Sequence, residues 1–187
     1  LQKAFFEANI IDIEMVTDHA MNAVQQIACK QYNIPYSVSG TNYQTESILP
    51  RDWAHDKLDF KLIKNVATQF GIKEFKTYPY IEKKLVDITF ISPLNHIDYN
   101  KENAKVFLQK FSNWKEYGGK HSESIFTKFY QNYILPNKFN IDKRKPHLSS
   151  QILANQINRD TDIKEYFHKY MINKDITLHK EYLGKKC

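Results

Sequence analysis

Tyr117-Gly-Gly-Lys-His-Ser-Glu-Ser-Ile-Phe-Thr-Lys-Phe-Tyr-Gln131 is the stretch around which the rest of the chain is read. Gly118 and Gly119 leave the backbone free to take positive φ or to approach a ligand closely. A cation, Lys120, an imidazole, His121, and a carboxylate, Glu123, come directly after. Then Ile125, Phe126, Phe129, Tyr130 and Tyr133 recur at helical spacing. The pattern predicts a glycine turn leading into an amphipathic helix, with polar chemistry at the helix N-terminus. Free N–H groups and a partial positive charge gather there, which suits an anion. An ordinary loop with solvated charges accounts for the same residues.

Working outward, 187 residues make one domain or part of a larger one, and 42% apolar residues suffice for a sizeable core. Tyr and Phe number 12 each. Net charge is +6, from 27 Lys and Arg against 21 Asp and Glu, spread along the chain without a block of like charges. That balance favours anionic partners and argues against a nucleic-acid-binding tail. The two cysteines, Cys29 and Cys187, have no metal-ligand spacing and build no disulfide framework, so a cytoplasmic setting is expected. The apolar run at residues 88–94 is far too short to span a membrane, and no signal peptide is visible. The chain opens with Leu1-Gln2-Lys3 in helix-like sequence, so a missing N-terminal portion is expected.

In chain order, residues 1–9 read as a helix end anchored by Phe5 and Phe6, and residues 10–15 as a short strand or a continuation. Thr17 is a candidate N-cap, with Asp18 in the first turn of a helix to about Gln31. Its apolar stripe is Ala20, Met21, Val24, Ile27 and Ala28, and Asn33 and Pro35 stop it. Pro35-Tyr-Ser-Val-Ser39 is β-prone, and a helix, a strand and a polar loop make half of a βαβ unit. In the loop Gly40 permits a tight backbone, Thr41 and Asn42 supply short hydrogen-bonding groups, and Glu46 is a candidate Mg²⁺ ligand. Arg51 is a candidate phosphate clamp. Leu58, Leu62, Ile63 and Val66 mark another helix, with Gly71 as its C-cap. Residues 72–79 have room for a strand, and residues 81–90 fit helix or strand. Asn100 caps a helix with apolar face Ala104, Phe107, Leu108 and Phe111. Pro136 interrupts the pattern, residues 138–147 read as a dense polar loop, residues 148–157 as a helix, and residues 160–172 as another striped by Ile163, Phe167, Tyr170 and Met171. The remainder reads as a surface tail.

Two separated strings combine. One is Ser39-Gly-Thr-Asn-Tyr-Gln-Thr-Glu-Ser-Ile-Leu-Pro50 with Trp53 behind it; the other is the opening stretch, continued by Leu135-Pro136, Lys138-Phe139, Asp142-Lys143-Arg144 and His147-Leu148-Ser149. Together they resemble the N-acetyl sugar amidotransferases of bacterial surface-polysaccharide and pseudaminic-acid-type biosynthesis, members of the PP-loop ATP pyrophosphatases. The resemblance spans about residues 1–160. It implies an α/β fold: part of a PP-loop parallel sheet over residues 1–115, followed by a mainly helical region over 116–187. It further implies conversion of an acetamido group on a sugar nucleotide or related sugar into an acetamidino group. An amide oxygen leaves poorly. Transfer of AMP from ATP to that oxygen releases pyrophosphate and makes the carbon electrophilic; ammonia attacks, AMP leaves and an amidine remains. Related enzymes take ammonia from a glutaminase subunit, often through a barrel-shaped subunit, and these are the implied partners.

Two departures qualify the resemblance. The family's Ser-Gly-Gly-x-Asp-Ser pyrophosphate loop is absent here, as is the cysteine-rich segment before it. Gly118-Gly119-Lys120 matches a separate, downstream family motif. A C-terminal fragment, inactive by itself, is the expectation. Within the resemblance Gly40, Thr41, Asn42 and Glu46 approach ATP, with Glu46 on Mg²⁺. Lys120 neutralises charge developing on phosphate or at the adenylated oxygen. His121 and Glu123 shuttle a proton from ammonia. Arg51, Lys143, Arg144 and His147 are placed on the substrate, the Arg fork suiting phosphate or carboxylate. Against this, Lys143 and Arg144 fit solvation, Asp142 fits a simple pair with Arg144, and Phe126, Phe129 and Tyr130 fit the core. The rival readings are a PP-loop tRNA-modifying enzyme, for which no basic stripe is visible, and a non-catalytic module binding anions or a partner through residues 138–147.

Overall fold

The computed structural model describes residues 1–74, 78–117 and 124–163. The helices in chain order are α1 (Gln2–Glu7), α2 (Met15–Tyr32), α3 (Tyr43–Glu46), α4 (Phe60–Gln69), α5 (Lys101–Phe111), α6 (Ile125–Phe129), α7 (Leu135–Phe139) and α8 (Arg144–Leu153). Two strands, β1 (Tyr36–Val38) and β2 (Thr89–Ile91), pair in parallel, with Ser37 opposite Phe90. The protein is mixed α/β and mostly helical, with a small parallel sheet. The chain divides into two compact units, residues 1–40 with 50–93, and residues 41–49 with 94–187.

In the first unit α1 buries Ala4 and Phe5 and packs against α4. Residues 10–14 are neither strand nor continued helix, because Asn9 turns the chain at φ 57°. Helix α2 starts two residues before the expected cap: Glu14 is the N-cap and Thr17 lies inside. Asn33, left-handed at φ 52°, ends it as expected. Its buried face differs from the expected stripe. Met21, Val24 and Ile27 are 59%, 53% and 44% exposed, while Met15, Val16, His19, Ala23, Gln26 and Cys29 are buried.

The buried polar groups on that face are all matched. His19 Nδ1 bonds the Lys57 carbonyl at 2.8 Å, and its Nε2 accepts from the Ile81 amide at 3.3 Å. Nδ1 therefore carries the proton. Gln26 Oε1 accepts from the amides of Leu85 and Val86 at 3.0 and 3.1 Å. Tyr78 OH donates to the Val16 carbonyl. These bonds hold residues 78–86 on α2 as irregular chain, so of the stretch 81–90, expected as helix or strand, only Thr89 and Phe90 enter a regular element, strand β2. Asp12, buried, receives the His55 amide and Lys57 Nζ, and Lys57 also reaches Asp18 at 3.0 Å. Burial disfavours the Lys57 charge, but the two carboxylates outweigh it and raise its pKa.

Helix α4 buries Phe60, Ile63, Val66 and Ala67; of the expected stripe Ile63 and Val66 are inside, Leu62 is half-buried and Leu58 lies before the helix. Asp59 caps it by accepting from the Leu62 amide at 3.0 Å. Gly71 at φ 70° takes a conformation that side-chain-bearing residues rarely adopt. On the sheet, Gln25 of α2 donates to Ser37 Oγ at 2.7 Å, tying α2 to β1. Side chains alternate along a strand, so Tyr36 and Val38 point to the other face, and both are exposed.

In the second unit α6 passes through a π-helical turn, Tyr130–Ile134, into α7. Pro136 therefore does not end the helix. The Leu135 amide reaches back to the Tyr130 carbonyl, and Pro136 follows directly after that π-turn, as the second residue of α7. Phe129, Tyr130, Ile134 and Leu135 are buried, so Phe129 and Tyr130 belong to the core. Asn140 at φ 55° ends α7. Helix α8 begins at Arg144 rather than at Leu148, with Pro146 tolerated in its first turn. The expected polar loop is thereby cut to a few residues. Asn100 caps α5 as expected, accepting from the Asn103 amide at 3.0 Å, but no residue of α5 is buried.

Candidate functional site

The two strings that carry the family resemblance meet within the second unit. Helix α3, from the first string, packs on α8, from the second. Ser150 Oγ makes the link. It donates to the Pro146 carbonyl at 3.0 Å and accepts from the Ile48 amide at 3.0 Å, a partner 102 positions away.

Asn42 builds the start of α3. It is extended at φ −153°, and its Oδ1 accepts from the Thr45 amide at 2.9 Å and Thr45 Oγ1 at 3.0 Å. That is an N-cap, and it occupies the oxygen the sequence offered to a nucleotide. Asn95 Oδ1 accepts from the Tyr43 amide at 2.8 Å, tying the loop down from the other side. Thr41 and Glu46 are exposed. Gln44 Oε1 is buried with no hydrogen-bond partner among the described residues, an acceptor that a donor on a ligand or a water would satisfy. A Cβ at Gly40, the last residue of the first unit's opening segment, would meet nothing within 4 Å, so local packing does not demand glycine there.

Glu46 acts on Tyr99. Burial first, and then the negative charges of Glu46 and Glu102, raise the Tyr99 phenol above its usual pKa, with Lys105 opposing. Lys105 in turn bridges Glu102 at 3.1 Å and Glu116 at 3.0 Å. Burial works against its charge, yet the two carboxylates raise its pKa on balance. Glu116 and Tyr117 lead directly into the Gly118-Gly119 motif.

The basic string lies at the start of α8. Asp142 receives Arg144 Nε at 2.8 Å, Nη2 at 2.7 Å and the Arg144 amide at 3.0 Å. Burial alone would raise the Asp142 carboxyl, but these bonds and the charges of Arg144 and Lys145 bring it below its ordinary value. The pair anticipated as an alternative to substrate binding is thus formed, and this face of the guanidinium is turned to Asp142. Lys143 is the N-cap residue and His147 lies in the first turn, both half-buried. Arg51 lies in the first unit, exposed on a 3-10 turn, Arg51–Trp53. Tyr99 and Lys105 were not expected from the sequence, because neither stands in a recognisable motif; Glu102 is a near neighbour in the chain, but the fold is needed to bring Glu46 to Tyr99 and Glu116 to Lys105.

Lys120, His121 and Glu123 lie outside the described residues. The first residue after them, Ser124, caps α6 by accepting from the Thr127 amide at 3.2 Å, so the predicted helix does begin where the motif ends. Among the described residues no group of three or more His, Cys, Asp or Glu is arranged to hold a metal ion. Among the described residues Glu46 would therefore be a single protein ligand to a Mg²⁺, with phosphate oxygens left to supply others. No helix among the described residues is long and apolar enough to cross a membrane.

Neither curated proteins nor solved structures yielded a match to the chain. Residues 123–187, about a third of the chain, match a family model described as "LPS biosynthesis protein WbpG-like, C-terminal domain". Over that C-terminal part, which includes α6, α7 and α8, the chain is similar to a polysaccharide-biosynthesis family.

Proposed function

We propose that this chain is the C-terminal part of an ATP-dependent amidotransferase that converts an acetamido group of a sugar, as a sugar nucleotide or a nonulosonic-acid precursor, into an acetamidino group. The observation that carries the reading is the packing of α3 on α8, which joins two sequence strings far apart in the chain. The similarity to a lipopolysaccharide-biosynthesis family over residues 123–187 supports the sugar pathway.

When bound, ATP would supply the adenylyl group that activates the amide oxygen, and Mg²⁺ would screen its phosphates. The chain's own residues do the rest. Glu46 holds the cation, with Gly40 and Thr41 offering the backbone beside it and Asn42 fixing the loop. Lys143 and His147, at the start of α8, bind the anionic part of the sugar substrate beside Arg144, which Asp142 orients. Arg51 adds a further phosphate contact. Lys120 neutralises charge growing at the activated oxygen, and His121 with Glu123 takes the proton that ammonia gives up. Ammonia comes from a glutaminase subunit through a barrel-type subunit, and the work is done in the cytoplasm. The two-stranded parallel sheet fits a PP-loop half, since parallel sheets are ordinarily covered on both faces and the Tyr36 and Val38 face is bare. The second reading is a non-catalytic module that binds an anion or a partner through residues 138–147.

The test is release of AMP and pyrophosphate with ATP, ammonia and a panel of acetamido sugar nucleotides. It is run on the chain alone and on the chain preceded by a nucleotide-binding half that bears the pyrophosphate loop. Turnover in the longer protein, lost in Lys120→Ala, supports the amidotransferase. No AMP with any sugar overturns the reaction and leaves the binding module. Binding of tRNA with a steep salt dependence would instead point to the RNA-modifying enzymes.

A further inference from the structure

Helix α5 combines apolar and cationic surface that the proposed reaction does not use. No residue of α5 is buried. At about 3.6 residues per turn, Ala104, Phe107, Leu108 and Phe111 fall on one side of the helix. Phe107 is 57% and Phe111 73% exposed, and their rings stack with centroids 4.3 Å apart. By the same period Lys101 falls at the Leu108 edge of this side and Lys110 at the Phe107 edge.

The chain after α5 folds back along the helix. Lys105, in the middle of α5, pairs with Glu116 at 3.0 Å as well as with Glu102 at 3.1 Å. The first of these contacts returns the chain from the helix end towards its middle. Trp114 and Tyr117 meet edge to face, with ring centroids 5.8 Å apart, Trp114 half-buried and Tyr117 exposed. Lys115, between them, is exposed, as is Lys110. Residues 101–117 hold four lysines against two glutamates, and both glutamates pair with Lys105. Lysine charge thus borders the aromatic face.

An uncovered apolar face marks an interaction site, and its charged border selects the partner. Phenylalanine and leucine edged by lysines, with Trp and Tyr alongside, match the boundary between acyl chains and anionic headgroups. We propose that α5 and residues 112–117 dock in the plane of an anionic lipid bilayer. Phe107, Leu108 and Phe111 enter the acyl boundary, Lys110 and Lys115 meet the headgroup anions, and Trp114 and Tyr117 sit at headgroup level. The 11 residues of α5 suit this placement. A helix about 16 Å long lies flat on a bilayer and cannot cross one. The docking requires no nucleotide and stands apart from the proposed reaction.

The test is co-sedimentation of the full chain with vesicles of phosphatidylcholine mixed with phosphatidylserine, and with vesicles of phosphatidylcholine alone. Salt-sensitive binding to the anionic vesicles and little to the neutral ones is expected. Phe107→Asp with Phe111→Asp changes exposed side chains only and should weaken binding by about tenfold or more. Lys110→Glu with Lys115→Glu leaves every apolar group in place and should do the same, since each lysine near an anionic surface contributes about fivefold. With the other tryptophan removed by Trp53→Phe, Trp114 emission should shift to shorter wavelength on binding. No binding to anionic vesicles, equal binding to neutral ones, or binding that either double variant leaves unchanged would overturn the proposal. So would a dimer by light scattering that Phe111→Asp dissociates, since the face would then belong to a second copy.

Discussion

Ser150 Oγ and the Ile48 amide, 3.0 Å apart, join α8 to the segment just after α3. Removing the hydroxyl leaves the Ile48 N–H without its acceptor beside a buried position. Ser150→Ala is expected to lower stability by about 1–2 kcal/mol. Denaturant unfolding at neutral pH measures it. A loss near zero would mean that α3 is held by other contacts.

The Asp142–Arg144 fork makes a pH prediction. The folded pKa of Asp142 is depressed, so the pair contributes stability that is fully present above the ordinary value of 3.8 and is lost as pH falls through the lower folded value. Asp142→Asn is therefore expected to be less stable than the wild type at pH 7, by about 1 kcal/mol for a charge-assisted pair that is not fully buried. The gap should close below pH 3.8. A gap that is independent of pH would show that packing, not charge, holds the pair.

Tyr78 is expected to titrate late. Burial first, and the charge of Asp18 second, raise its phenol to about 12. The folded state thus holds a proton that the unfolded state has released, so its contribution is whole below pH 10 and declines as pH rises towards 12. Ultraviolet titration of tyrosinate should show this late group, and Tyr78→Phe should remove it together with the associated alkaline loss of stability. A wild-type curve identical to that of Tyr78→Phe would refute the assignment.

His19 holds two backbone groups of separate segments, the Lys57 carbonyl and the Ile81 amide. His19→Phe keeps the ring but leaves both unpaired, and should cost about 2–4 kcal/mol, the sum of two buried groups losing a partner. His19→Ala adds a cavity and should cost more. Thermal unfolding of both variants, compared with Met21→Ala on the exposed face of the same helix, checks it. Met21→Ala should stay within about 0.5 kcal/mol of wild type.

Glu46 and Tyr99 link the proposed cation ligand to a group the sequence did not single out. Glu46→Gln removes the second cause of the raised Tyr99 pKa, so the phenol should titrate lower while its burial persists. In the active protein of the proposed reading, the same variant should weaken the dependence of turnover on Mg²⁺. A Tyr99 titration unmoved by Glu46→Gln would place the two groups too far apart to share a site.

Local chemistry was legible in the amino-acid string. Asn33, Asn100 and Gly71 announced a helix end, a cap and a left-handed turn, because each depends on a residue's own backbone preference and a partner a few positions away. The strand at Tyr36–Val38 and the helix after Ser124 were legible for the same reason, as were Ile63 and Val66 on the buried face of α4. The tertiary structure alone decided which face of α2 is buried. Helical period admits both the Met21, Val24 and Ile27 stripe and the His19, Ala23 and Gln26 stripe, and hydrophobicity favours the first. The second is inside because distant amides and carbonyls, those of Lys57, Ile81, Leu85 and Val86, satisfy its polar groups, and no local rule contains them. The same holds for Pro136 and Pro146. A π-turn carries the chain past Pro136, which was expected to interrupt the helix, and α8 begins early enough to hold Pro146 in its first turn.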